Sequence, residues 1–293
     1  MSTGYGWLLR LYPKAYRQQR GAEMLTTLVE AAESGRRRPV WREVTGLVLG
    51  AARIRTGAAT GVSLGQRWLG ALRISVLFLV AHGTAKSLAL ARLAVPIQLS
   101  HPSDPYPATF AIGASAGTVC GLLAIVLLAA GRYRTGMVAT LAAFVASQIS
   151  YNGLPNPFRL TPNGFWQYPL AALLMLPLLV RRPAAARRPV TWLLAVPVAW
   201  LVLTSGFHTT LNRQPWPLVA VAFVCLLWTV VDGRVAIAGA ALVFGLAAWP
   251  VYAELAPSIH GSTLTLVSAT LYPSLTVILF AAGTVRIRQQ ARL

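Results

Sequence analysis

From about residue 71 onward the sequence is a succession of long apolar runs, each closed by charge, proline or glycine, and this pattern leaves few folds open. The runs cover approximately 71–94, 108–130, 136–154, 166–180, 190–206, 215–231, 235–254 and 264–285. A helix needs about 20 apolar residues to cross a hydrocarbon core of about 30 Å, and most of the runs approach that length, the fourth to sixth being short. Lipid offers no partner to a backbone N–H or C=O, so each run has to satisfy its own as a helix. The expected fold is all-α: a polytopic membrane helical bundle of about eight transmembrane helices, preceded by a small cytoplasmic helical segment.

The connections between runs give an independent reading, because Lys and Arg concentrate on the cytoplasmic side. With the N-terminus inside, the inner connections are GRYRTG (Arg132, Arg134), RRPAAARR (Arg181, Arg182, Arg187, Arg188), DGR (Arg234) and the tail RIRQQARL (Arg286, Arg288, Arg292), ten arginines in all. The outer connections carry only Arg159 and Arg213, while His101, Asp104, His208 and His260 fall on that side. An even number of crossings and cytoplasmic N- and C-termini follow, in the cell (plasma) membrane. The short apolar stretch Trp7–Tyr12 is broken by Arg10, so the first full span is expected to act as the insertion signal in place of a cleavable leader.

Residues 1–67 form the polar part, with eleven basic and four acidic residues, and 68–293 the transmembrane bundle. A short helix from Tyr5 should stop at Pro13. A second, about Lys14 to Glu33, places Tyr16, Met24, Leu25, Leu28 and Val29 at near-helical spacing, and SGRRRP ends it. A third, about Val40 to Thr56, carries Val40, Val44, Leu47, Ala51 and Ile54 on one stripe, with Arg42, Arg53 and Arg55 off it. That helix suits either the inner leaflet, arginines among anionic head groups, or a small cytoplasmic bundle.

The composition, 56% hydrophobic and 11% charged, excludes an ordinary soluble domain. A net charge of +19 would suggest nucleic acid in a soluble chain, but topology accounts for the arginines and leaves no basic, aromatic face for that partner. Cys120 and Cys225 lie inside apolar runs, and neither a disulfide framework nor a zinc spacing is available. HExxH, GxSxG, a phosphate-cradling GxxxxGK and paired intramembrane aspartates are absent from the sequence. No enzyme, catalytic residue, cofactor or metal is therefore expected.

The stretch LLRLYPKAYRQQRGAEMLTTLVEAAE (Leu8–Glu33), followed by RPVWREVTGLVLGAARIRTG (Arg38–Gly57), resembles the prefix segment ahead of the first span in some bacterial ABC-type export permeases. It is also similar to the N-terminus of uncharacterised actinobacterial multi-pass membrane proteins. The resemblance rests on Leu-Tyr-Pro with Tyr16 and Arg17, on Gly21, Glu23 and Met24, and on the Trp41–Arg55 helix. It covers about a fifth of the chain and implies a cytoplasmic module joined to a membrane domain, with an ABC ATPase or a regulator as a candidate cytoplasmic partner through residues 1–60. Those permeases continue with a few spans and a large extracytoplasmic domain, whereas this chain continues with eight close spans. Its 24 arginines against 2 lysines fit a high-GC bacterial source.

Within the bundle, His82 and Lys86 lie four residues apart and so share a helix face. An ammonium near mid-bilayer costs on the order of 3 kcal/mol and usually faces a bundle interior or an aqueous path. Either the pair serves as a proton or anion relay, or Lys86 snorkels to the outer interface, with Ser87–Val95 along the surface and Arg73 anchoring the other end. Glu254, at the outer end of the seventh run, is either the carboxylate that pairs with Lys86 or Arg92 or an interfacial group with its head in water. His101, His208, His260, Asp104 and Glu254 share the outer side, but at no spacing that makes a metal site.

Gly113, Gly117 and Gly121 make two overlapping GxxxG steps, a face for close helix packing within the chain or in an oligomer. Pro177, Pro197, Pro250 and Pro273 permit kinks inside spans. Ser147, Gln148, Ser150, Tyr151 and Asn152 line a small outward cavity or cap the third run. Two functions fit: a permease-like component of a transport or export system, or a membrane-embedded regulatory or scaffold protein that binds a cytoplasmic partner through its N-terminal helices.

Overall fold

A computed structural model of the chain describes residues 9–33, 41–56, 63–100, 105–152, 166–181, 216–255 and 263–292, and all secondary structure among them is helical. The helices are α1 (Lys14–Glu33), α2 (Trp41–Thr56), α3 (Leu64–Ser100), α4 (Pro105–Ala129), α5 (Tyr133–Asn152), α6 (Gln167–Val180), α7 (Trp216–Trp228), α8 (Gly233–Leu255) and α9 (Thr263–Arg292). The fifth apolar run, 190–206, lies outside the described residues, as do His101, Asp104, Arg159, Pro197, His208, Arg213, His260 and the segment before Leu9.

Three helical stretches, Leu64–Ser100, Ala108–Ala129 and Ala269–Gln290, are long and apolar enough to cross a membrane; Gln167–Val180, Val219–Trp228 and Gly233–Leu246 are shorter apolar helices. Two helices overrun their apolar runs by more than a turn: α3 at both ends, and α9 through Arg286 and Arg288 to Arg292. The first run becomes a helix of 37 residues, about 55 Å long, with Arg67 and Arg73 inside its first turns and Pro96 near its end. Once a helix is nucleated each further residue adds a hydrogen bond, and a long arginine stem carries its charge to a polar surface without breaking the backbone. The segment 87–95 continues α3 without a break, with Ser87, Ala91 and Ala94 buried and Arg92, Leu93 and Val95 exposed.

Two tight hairpins organise the bundle. Between α4 and α5, Gly131 takes φ 77°, its N–H donates to the Leu128 carbonyl at 3.0 Å, and the Arg132 N–H donates to Leu127 at 2.8 Å. This pair of bonds closes the helix end, and the positive φ is the reason for glycine there. Between α7 and α8, Asp232 caps α8 by accepting the Arg234 backbone N–H at 3.0 Å.

Helix α3 occupies the centre. Gly83 lies against the Tyr168 ring of α6, Thr84 against Gly121 of α4, and Leu79 against Gly245 of α8. The main core gathers Val76, Leu79, Val80, Leu128, Tyr168, Met175, Leu178 and Leu242 from these helices. A second cluster, with Ala222, Cys225, Ala240, Val243 and Leu279, joins α7, α8 and α9, and Ala71, Ile237 and Ile287 tie α3, α8 and α9 together. Outside this core, Leu122, Val126, Val138, Leu173, Phe223, Leu227, Val277 and Phe280 stand exposed, an apolar girdle spread over five helices that suits lipid and would be a liability in water.

The glycine seam is a source of testable stability differences. A Cβ at Gly113 would stand 2.7 Å from the Ser150 nitrogen and 2.8 Å from the Ala146 oxygen, whereas one at Gly46 of α2 would meet nothing within 4 Å. Gly113→Ala is expected to cost about 1–3 kcal/mol and Gly46→Ala to gain about 0.5–1 kcal/mol. Thermal unfolding in mild detergent reads both; equal shifts for the two variants would mean that α4 and α5 do not meet at Gly113.

Candidate functional site

Among the described residues, the densest polar arrangement inside the bundle is a set of hydroxyls drawn from three helices around the glycine face of a fourth. Thr84 and Ser87 sit three apart on α3 and so point to one side. Ser147 comes from α5 and Tyr168 from α6. The Ser87 and Ser147 oxygens are 2.9 Å apart, and the Tyr168 hydroxyl is turned toward Thr84, Ser87 and Ser147. All four residues are buried.

Two of the four hydroxyl protons in this cluster are directed to backbone, that of Thr84 and that of one serine. Thr84 donates to the Val80 carbonyl at 2.7 Å, Ser87 is 3.1 Å from that of Gly83, and Ser147 is 2.7 Å from that of Ala143. Only one hydrogen can lie between the Ser87 and Ser147 oxygens, so one serine donates across while the other stays on its own helix. The α4 glycines make room for this contact. A Cβ at Gly117 would stand 2.5 Å from the Ser147 oxygen and 3.3 Å from that of Ser87, and one at Gly121 would stand 3.0 Å from the Thr84 Cβ. The three glycines singled out by spacing thus line α5 and the hydroxyl face of α3.

His82 is buried and Lys86 half-buried on α3, but by helical periodicity their Cα positions lie on another flank from Thr84. The hydroxyl cluster therefore does not include them. Helices α3 and α8 run side by side in the same direction: Gly70 lies by Arg234 and Leu79 by Gly245. That register carries the backbone of Glu254 to about the height of Leu88, near Lys86 along the bundle axis. The Glu254 side chain lies outside the described residues, as do those of Tyr151 and Asn152. Ser150 does not open into a cavity; it donates to the Phe110 carbonyl of α4 at 2.9 Å. Gln148 is buried on α5.

The second concentration of chemistry is at the end of the bundle where α3 begins and α9 closes. There Arg73 donates to the Ala129 carbonyl at the end of α4 (2.6 Å) and stands 5.9 Å from the Tyr133 ring centre. Arg234 forms a forked ion pair with Asp232, its Nε 2.9 Å from both carboxylate oxygens. The Val230 carbonyl accepts from Arg53 of α2 and from Arg286 of α9, each at 3.0 Å, and Gln290 donates to Val231 at 3.2 Å. In the N-terminal segment Tyr12 stacks on Tyr16 with ring centres 5.5 Å apart and brings its hydroxyl against Gly50 of α2. Burial, with Tyr16 beside it, pushes the Tyr12 phenol above its ordinary pKa.

Comparison with known protein families, curated proteins and solved structures finds no match to this chain. No group of three or more metal-ligating side chains occurs among the described residues.

What this arrangement can do follows from its chemistry. A cluster of neutral hydroxyls has no base to take a proton and no charge to move, but it can hold three helices in one register. Sequence reasoning passed over Thr84, Ser87 and Tyr168 because small hydroxyls in an apolar run carry no charge signal; the Thr84 and Ser87 spacing, read against the glycine repeat, was the available clue. A double-mutant cycle on Ser87→Ala and Ser147→Ala is expected to show coupling of about 0.6 kcal/mol in detergent unfolding, the size of an ordinary intramembrane hydrogen bond. Strict additivity would mean that the two oxygens do not share a proton.

Proposed function

We propose that the chain is a plasma-membrane protein of eight spans with both termini in the cytoplasm, acting as a membrane-embedded scaffold that presents its basic N-terminal helices to a cytoplasmic partner. Support for the topology comes from the shared end of the bundle, where Arg53, Arg73, Arg234 and Arg286 gather as the positive-inside rule requires of a cytoplasmic face. Arg181 closes α6 at that end while α7 begins at the opposite one, a separation that a fifth span over 190–206 would bridge.

The observation that carries the scaffold reading is the bond from Arg53 to the Val230 carbonyl. It moors α2 to the turn between α7 and α8 while leaving Trp41, 77% exposed, and Val48 on the open side of α2. Large exposed apolar side chains on a basic helix fastened to a membrane bundle are what a partner helix would cover. The hydroxyls of Thr84, Ser87 and Ser147 are meanwhile engaged with one another or with backbone, which suits a fixed platform.

A permease-like role is the second reading. It is favoured by the resemblance of Leu8–Gly57 to the export-permease prefix and by His82 and Lys86 on one flank of α3. In-cell crosslinking followed by mild-detergent purification separates the two. A scaffold is expected to bring down a cytoplasmic protein that is lost on deleting residues 1–60 and reduced by Arg53→Ala, with Lys86→Leu without effect. Recovery of an ABC ATPase, together with loss of a transport phenotype in Lys86→Leu, would overturn the scaffold reading in favour of the permease.

A further inference from the structure

Where the first turn of α3 meets the last turn of α6 there is a cleft of about 530 Å³, within the roughly 300–1,000 Å³ typical of small-ligand sites. Trp68, Leu69, Pro177 and Val180 form its walls, and Gln66 and Arg181 its polar rim. Its two halves differ in chemistry. Leu69 closes the apolar wall against the core while Pro177 and Val180, the latter 84% exposed, open it outward, and Arg181 stands exposed one residue beyond. The cleft thus opens sideways from the bundle, at the arginine-rich end.

We propose that this cleft holds one anionic phospholipid, with the upper part of an acyl chain along Trp68, Leu69, Pro177 and Val180 and the headgroup phosphate at Arg181. The proposal rests on the reading that the arginine-rich end faces the inner leaflet.

Charge complementarity selects the occupant. No carboxylate lines the cleft among the described residues. Asp232, the carboxylate at the same end of the described bundle, is held in its forked pair by Arg234. A phosphate would therefore meet an arginine with no acidic neighbour in the cleft. The N-terminus of α3 opens onto the same rim, at Gly65 and Gln66, and adds the positive end of its helix dipole. A zwitterionic lipid would bring its own cation to the arginine, and free phosphate would leave the apolar walls uncovered. Basic pockets between spans on the cytoplasmic side are where anionic headgroups are held.

The test uses the full chain in nanodiscs made with phosphatidylglycerol or phosphatidylcholine, followed by release into detergent and native mass spectrometry of the lipids retained. One phosphatidylglycerol per chain is expected to persist, and no phosphatidylcholine. Arg181→Gln should weaken retention about fivefold, the weight of one arginine at a lipid phosphate, and Arg181→Lys should keep most of it. Arg132→Gln, an equal loss of charge in the turn between α4 and α5, should change little. Equal retention of both lipids, equal loss from the Arg132 and Arg181 variants, or the same protection by inorganic phosphate would each overturn the proposal while leaving the membrane reading intact. Failure of the helical chain to enter nanodiscs at all would overturn both.

Discussion

The missing β-carbons at Gly113, Gly117 and Gly121 are the feature on which the rest of the bundle depends. In lipid there is no hydrophobic force to press one apolar helix on another, so association has to come from close contact and from hydrogen bonds. With side chains at those positions α4 would be held away from Ser147, Ser150 and Thr84, and the oxygens of Ser87 and Ser147 would lose their 2.9 Å contact. Glycine supplies the space and the hydroxyls supply the specificity. Helix α3, packed by α4, α6 and α8, then has little freedom to slide, because a shift of one residue would carry Thr84 and Ser87 off their partners.

The arginine-rich end follows a different rule. Helix C-termini leave carbonyls without helical partners, and a guanidinium reaching across from another helix can satisfy them. Arg73 does this for α4, and Arg53 with Arg286 does it for the turn after α7. The seven acidic residues of the chain are too few to neutralise its 26 basic ones, and backbone oxygen takes the place of carboxylate as the acceptor.

Much of this was legible in the sequence. Hydropathy located seven of the bundle helices now described, to within a few residues except at both ends of α3 and the end of α9, and glycine spacing located the seam. The reading failed where the signal was geometric. The Asp-Gly-Arg sequence is a connection, as its charge suggests, but its letters do not announce that Asp232 both caps α8 and pairs with Arg234. Tyr168 was one aromatic in an apolar run, and nothing local marks that Gly83 on another helix leaves room for its ring. His82 and Lys86 stood out because charge in an apolar run is conspicuous, whereas the hydroxyls that join the helices carry none. The N-terminal helices were legible as helices, but their mooring depends on a carbonyl 177 residues away from Arg53.

That separation has a consequence for biogenesis. At translation rates of roughly 5–20 residues per second, the Val230 carbonyl leaves the ribosome on the order of 10–35 s after Arg53 does. During that interval the leading helices have no berth and must stay soluble on their own charge or in the keeping of another protein. Their docking is a late event that reports completion of the turn between α7 and α8, so a chain arrested before that turn would display a permanently unmoored N-terminus.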